Sequence, residues 1–290
     1  MLHKNRDEFL KILERTSAQT GFPLRLVEKD YYLTIIISRI NDFLSDNLVF
    51  KGGTCLNKIY YEYYRLSEDL DFTLILPSGT STRTSRRKAI SPIKESIVNF
   101  AKSLDMKIDN PDRAVHNESN QYIYYLSYKS VVIDKREPIK LEIGLRFNPI
   151  LQPVEMKIHH RFIHPFTGEP LFDAGSVKCL DLKELVAEKM RAASTRLVIA
   201  PRDFYDLGYL IRKGFDFEDK ALLKIFQEKL GEDGYTSDLK KYHTNLGRTE
   251  DEIKAMKSRL EYELFPVLTE AEQRQFDVDK VFEFFSRILK

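Results

Sequence analysis

The 290-residue chain predicts an α/β (α+β) fold, a mixed sheet with helices followed by a helical C-terminal domain. Three observations predict it. Short β-rich runs such as DNLVF (46–50) and QYIYYLSYKSVVI (121–133) alternate with helix-period segments up to about residue 178. Beyond that point helical periodicity dominates. A hydrophobic fraction of 42% beside 31% charged residues suits a soluble globular chain with room for one large domain or two ordinary ones. The expected division is 1–178 and 179–290.

The elements follow in order. Residues 5–18 and 24–44 read as helices; in the second, Val27, Tyr31, Ile35 and Phe43 recur at helical spacing, with Ile36 and Ile40 between them. DNLVF reads as a strand ending at a glycine pair. Residues 54–65 read as a helix, with Leu56, Ile59, Tyr60 and Tyr63 on one face. A strand is expected over 69–76, a polar loop over 77–90 and a helix over 92–104. Strands are then expected over 106–109, 121–133, 139–147 and 155–165, and helices over 181–194, 202–212, 217–230, 249–263 and 269–289.

Composition narrows the function classes. The net charge of +2 is not the basic excess of a protein that coats nucleic acid. One local basic run, TRTSRRK (82–88), carries Arg83, Arg86, Arg87 and Lys88; it reads as a solvated loop or as a contact for RNA phosphates. Two cysteines, Cys55 and Cys179, make no disulfide framework and suit a reducing cytoplasm. The N-terminal stretch is charged, and no apolar run approaches membrane-spanning length, so no membrane partner is expected. His159 and His160 are adjacent and lack metal-ligand spacing.

FKGGTCLNKIYYEYYRLSEDLDFTL (50–74) carries the chemistry. Gly52 and Gly53 stand between a strand and a helix, where glycine permits positive φ and close approach of a ligand. The amides opening the following helix, with the Thr54 hydroxyl, make a seat for phosphate; a plain strand-to-helix turn accounts for the pair as well. Asp69 and Asp71 share one face of the next strand. Asp is disfavoured in strands, and two on one face repel unless a cation lies between them. A solvent-facing edge strand, with Leu70, Phe72 and Leu74 inward, is the plainer account. The order glycine pair, helix, D-x-D favours the metal reading, because carboxylates on Mg²⁺ can clamp the oxygens of a phosphoryl displacement.

This order resembles the DNA polymerase β-like nucleotidyltransferase superfamily. More narrowly, FKGGTCLNKIY…RLSEDLDF and the preceding EKDYY (28–32) resemble the AbiEii nucleotidyltransferase toxins of bacterial toxin–antitoxin systems. The interval from Gly53 to Asp69 is longer than the usual superfamily gap. The resemblance implies a nucleotidyltransferase-like mixed sheet. It implies that Gly52 and Gly53 hold an NTP, with hydroxyl contacts from Thr54 or Ser67, and that Asp69 and Asp71 bind Mg²⁺. A third carboxylate on a later strand is expected from the superfamily, and Glu142 in IKLEIGL is the candidate; Lys140, Glu142 and Gly144 share one face and Leu141, Ile143 and Leu145 the other. A surface strand position is the alternative.

DLKELVAEKMRAASTRLVIAPRDFYDL (181–207) resembles the later motifs of the same family. Asp181 and Glu184 read as a capping box. Leu182, Leu185, Val186 and Ala193 define an inward stripe with Lys189 in the middle of it. A lysine there needs an anion, protein carboxylate or bound phosphate, unless its ammonium reaches solvent. The resemblance makes Lys189 a catalytic or nucleotide-contacting residue and carries a late aspartate onto Asp203. Arg196 lies near the same face, and Asp206 is expected further toward solvent. An aspartate in a first helical turn is also favoured by the helix dipole alone.

The function implied is Mg²⁺-dependent transfer of a nucleoside monophosphate from an NTP to an RNA acceptor, the 3′ end of tRNA, with growth arrest as the result and a separate antitoxin protein as partner. The alternatives are transfer to a small molecule or protein, and a non-catalytic nucleotide- or RNA-binding relative.

Overall fold

The computed structural model describes residues 1–77 and 82–289. The chain forms two units, Met1–Leu180 and Asp181–Lys290.

In the first unit, α1 (Arg6–Thr20) opens on Asn5, whose side chain accepts the Glu8 amide, and stops at left-handed Gly21. Helix α2 (Leu24–Phe43) follows Pro23 and is buried along most of its length. Strand β1 (Leu48–Lys51) leads into α3 (Gly52–Cys55), which runs straight on into a π turn over Leu56–Tyr60. The chain then bends through Glu62 and Tyr63, at φ 37° and 70°, before β2 (Asp69–Leu74). The helix expected over 54–65 therefore ends at Tyr60, because two consecutive positive-φ residues cannot continue it.

Helix α4 (Arg83–Ser103) corrects the polar loop expected over 77–90. Thr82 caps it by accepting the Ser85 amide, and Ile90, Ile93, Ile97 and Phe100 bury one face across Pro92. Cap and apolar phase outweigh the polar composition. Residues 78–81 of that expected loop lie outside the described residues.

Strands β3 (Lys107–Ile108), β4 (Val115–His116), β5 (Gln121–Lys129), β6 (Arg136–Gly144), β7 (Val154–Lys157) and β8 (Ser176–Cys179) complete the sheet. Its order is β3-β5-β6-β2-β1-β8-β7, with β4 beside β5. β2 runs antiparallel to β1 and parallel to β6, and β1 runs parallel to β8, so the sheet is mixed as expected. β5 stops at Lys129 because Ser130 begins the hairpin turn, its hydroxyl donating to Glu28. The strand expected over 155–165 ends at Lys157; only a single bridge, Ile163 to Pro170, follows. Tyr32 of α2 stacks on Tyr128 of β5 at 3.9 Å, joining helix to sheet, and Phe50 of β1 stacks on its neighbour Phe72 of β2 at 5.0 Å within the sheet.

The second unit is helical: α5 (Leu182–Thr195), α6 (Pro201–Arg212), α7 (Lys220–Glu232), α8 (Glu250–Lys257), α9 (Leu260–Glu263), α10 (Glu270–Gln275) and α11 (Val278–Ile288). Asp181 caps α5 through the Lys183 amide; Glu184, expected to close a capping box, is instead buried on Lys229 of α7 at 2.7 Å. The helices expected over 249–263 and 269–289 each divide in two. The chain turns at residues 258–259, and Phe276 is extended ahead of Asp277, which caps α11. Phe204 against Phe282 and Phe217 against Phe285, each with ring centroids 5.1 Å apart, tie α11 into the helical core. Among the described residues no helix is long and apolar enough to cross a membrane.

Candidate active site

Gly52 turns the chain out of β1 at φ 77°. A Cβ placed on it would overlap Asp71 Oδ2 and stand 3.0 Å from Asp71 Cβ. Two independent constraints therefore require glycine here: the left-handed backbone, and a carboxyl group packed directly on its Cα. Strand register brings that carboxyl there, since Lys51 and Asp71 are partners across β1 and β2. Just beyond, the buried Thr54 hydroxyl lies 2.6 Å from Ser67 Oγ and donates to the Asp69 carbonyl. Thr54 and Ser67 thus clasp the start of the aspartate strand to the glycine turn.

β2 shows the expected alternation. Leu70, Phe72 and Leu74 are buried, while Asp69 and Asp71 are half-buried on the opposite face. Asp71 stands opposite Glu142 in the parallel register of β2 and β6. Burial, then the Glu142 charge, push the Asp71 carboxyl up to about 6; Lys51 and Lys140 pull the other way. Its ionised form is disfavoured where it stands, the condition a divalent cation would relieve. Glu142 differs. Burial would raise it, but Lys140 Nζ, 2.7 Å from Oε2, together with a hydrogen bond from Gln121 and the Lys51 charge, outweighs burial and holds it below the usual carboxylate range. The expected third ligand is thus bound to a lysine. Among the described residues no group of three or more His, Cys, Asp or Glu side chains is gathered to hold a metal ion. Asp69 and Asp71 remain as hard oxygen donors of the type that suits Mg²⁺.

In the second unit Lys189 does turn inward. Its Nζ lies 2.9 Å from Asp203 Oδ1 and 2.8 Å from Asp206 Oδ2. The anion its position demanded is protein carboxylate. Asp206, expected nearer solvent, is fully buried, because α6 is covered on nearly every side and carries Asp203 and Asp206 three residues apart on one ridge. Arg196, at the end of α5, reaches Asp203 Oδ2 at 3.5 Å. The basic residues of 82–88 sit in the first turns of α4, with Arg83, Arg87 and Lys88 exposed and Arg86 donating to the Glu118 carbonyl. His160 is enclosed: its ring stacks on Phe172 at 4.1 Å and Nε2 lies 2.8 Å from the Phe172 carbonyl.

Sequence reasoning missed a buried charged cluster one turn beyond Thr54. Lys58, fully buried, sets its Nζ 2.7 Å from Asp30 Oδ1 and donates to Thr34 Oγ1 at 2.8 Å and Tyr63 Oη at 2.7 Å. Tyr63 in turn donates to Asp30 Oδ2 at 2.9 Å. The available signal was Asp30 itself, an acid in helical phase with Val27, Thr34 and Ile37 on a helix that is buried along most of its length.

The family model described as the nucleotidyl transferase AbiEii toxin of a type IV toxin–antitoxin system matches residues 35–283. The structure is similar to MenT4, the nucleotidyltransferase toxin Rv2826c of Mycobacterium tuberculosis H37Rv, with a TM-score of 0.55 and 17% identity over 96% of this chain and 99% of that one. It is also similar to a candidate nucleotidyltransferase from H. pylori, with a TM-score of 0.50 and 16% identity over 92% and 94% of the two chains. At these identities the structural likeness is one of fold. No curated protein matches the chain.

Proposed function

From the premise that the chain belongs to the AbiEii family of nucleotidyltransferase toxins, we propose that it transfers a nucleoside monophosphate from an NTP to a hydroxyl of RNA, at the 3′ end of tRNA. The acceptor oxygen bonds to the α-phosphorus, the bond from that phosphorus to the bridging oxygen breaks, and pyrophosphate leaves; the hydroxyl proton passes to water. Asp69 and Asp71 would hold Mg²⁺, whose contribution when bound is to neutralise phosphate charge. Glu142 would join them in competition with Lys140, which holds its Oε2. The amides of Gly52 and Gly53 face the phosphates, and Thr54 and Ser67 keep that turn in place against Asp69. In the second unit Lys189 is the proposed nucleotide contact, with Asp203 orienting its ammonium. Most of the acceleration would come from alignment and charge neutralisation. A cytoplasmic location and a cognate antitoxin protein complete the reading.

The observation that carries it is the contact of the Asp71 carboxyl with Gly52, which sets the phosphate turn and the acidic pair side by side in one unit. The test is incubation with each labelled NTP, Mg²⁺ and total RNA, beside an Asp69→Ala/Asp71→Ala control. Label in RNA, absent with the control, is expected. Label that never enters RNA, or that enters equally with the control, overturns the reading; label in protein or in a small molecule instead identifies another acceptor.

A further inference from the structure

We infer that the buried Asp30–Lys58–Tyr63 cluster is a positioning device for the nucleotide site, holding the helical segment 52–60 so that the glycine turn and the aspartate strand keep their register. This rests on the assignment of Gly52, Asp69 and Asp71 to that site.

Position along the chain makes the first argument. Residues 52–60 are one continuous helical stretch that begins at Gly52 and passes into a π turn. Thr54 holds Ser67 and the Asp69 carbonyl. Lys58 lies one turn further along the same stretch. Anything that fixes Lys58 fixes Thr54, and through it the strand that carries both aspartates.

The second argument is how heavily Lys58 is fixed. Its side chain ties it to α2 through Asp30 and Thr34 and to the following bend through Tyr63. Its carbonyl accepts the His159 amide at 3.0 Å. Tyr63 holds φ 70°, costly for an aromatic residue, and its hydroxyl touches Lys58, Asp30 and the His159 carbonyl. Arg161 braces the same bend by donating to the Glu62 carbonyl at 2.9 Å.

The third argument is energetic. A fully desolvated Lys–Asp pair is on balance no more stabilising than apolar side chains of the same shape, and often less. A cluster that contributes little net stability, yet cross-links α2, the π turn and a strained bend, is better explained by the geometry it enforces. Misplacement of reacting groups by about 1 Å costs on the order of a hundredfold in rate.

The test is the double variant Asp30→Leu/Lys58→Met, which removes both charges and leaves neither stranded. Two readouts are taken: amide hydrogen exchange over 52–60, and kcat and KM for nucleotide transfer. The expected result is a folded chain whose 52–60 amides exchange about tenfold faster or more, with kcat reduced by roughly ten- to a hundredfold. A folded variant with unchanged exchange and unchanged kcat overturns the inference. Tyr63→Phe leaves the ion pair intact and removes only the hydroxyl that links it to the bend, so it decides the matter if the double variant does not fold. It is expected to speed exchange and lower kcat in the same direction by a smaller factor, and no change in either overturns the inference. Exchange needs no turnover. If the wild-type chain transfers no nucleotide to any acceptor, the proposed function falls while the exchange result still decides whether the cluster holds the segment.

Discussion

Two pairs of neighbouring aspartates in the chain, Asp69 with Asp71 and Asp203 with Asp206, are built in different ways. Asp69 and Asp71 sit two residues apart on a strand, half-buried, with Glu142 adding a third negative charge opposite Asp71. Asp203 and Asp206 sit three residues apart on a helix, buried, with the Lys189 ammonium within 2.9 Å of both. The second pair is neutralised by the chain itself. The first is left with an ionised state that burial and Glu142 oppose, and with Asp71 pushed up to about 6. The difference is one of degree: Lys189 contacts both Asp203 and Asp206 directly, whereas Lys51 and Lys140 only partly offset the burial and the Glu142 charge that oppose ionisation of Asp71, a condition that suits an external cation.

The comparison breaks most sharply on Asp71→Asn. Removal of one charge from the first pair is expected to lower nucleotide transfer by about a hundred- to a thousandfold while leaving the melting temperature equal or higher, since it relieves a repulsion. Labelled-NTP turnover and a thermal melt on the same preparation check both halves; a melting temperature that drops with the activity would make this pair structural too.

In the second pair Asp206→Ala is expected to cost about 3 kcal/mol in denaturant unfolding, because Lys189 loses a buried carboxylate partner. A loss under about 1 kcal/mol would mean that Asp203 and solvent suffice, and the contrast between the pairs would weaken.

Gly52→Ala sharpens the account of the first pair. Left-handed φ and the overlap with Asp71 together are expected to cost about 1–3 kcal/mol. Combined with Asp71→Gly, which empties the space a Cβ would enter, the cost should fall to the backbone part alone. Equal penalties in the two backgrounds, read by denaturant unfolding, would remove the contact argument.

The smallest effect is one of pH. His160 and His3 lie in the first unit, and burial lowers both below the usual histidine value. The unfolded chain therefore binds protons more readily near pH 6.5, so the stability linked to these rings is complete above that pH and declines as pH falls through it. Melting midpoints between about pH 7.5 and pH 6 should drop by a few degrees at most. Asp71 works in the reverse sense and mainly below about pH 6, and the Asp71→Asn background removes its share. A midpoint that rises on acidification in that background contradicts the sign.

Much of this was legible along the chain. Period-two alternation placed Leu70, Phe72 and Leu74 inward and Asp69 and Asp71 on the other face, and the helical phase of α5 turned Lys189 toward the core, as found. Where reading along the chain failed, either polar composition had hidden a local cap and apolar phase or a partner far away was the reason. Thr82 and Ile90 extend α4 into a run that composition alone made a loop. Asp206 is buried because α6 is enclosed on both flanks, which the phase of one helix cannot reveal.

By itself, then, the sequence determined the mixed sheet followed by helices, the glycine turn before the acidic strand, and the demand of an inward lysine for an anion. All of these follow from backbone geometry that repeats over a few residues. Only the tertiary structure decided that Asp71 packs on Gly52, that the anions of Lys189 are Asp203 and Asp206, and that Lys58 is clamped to Asp30. Those choices depend on strand register and on side chains brought together across the fold, and a buried charge shows its partner only once both have left water.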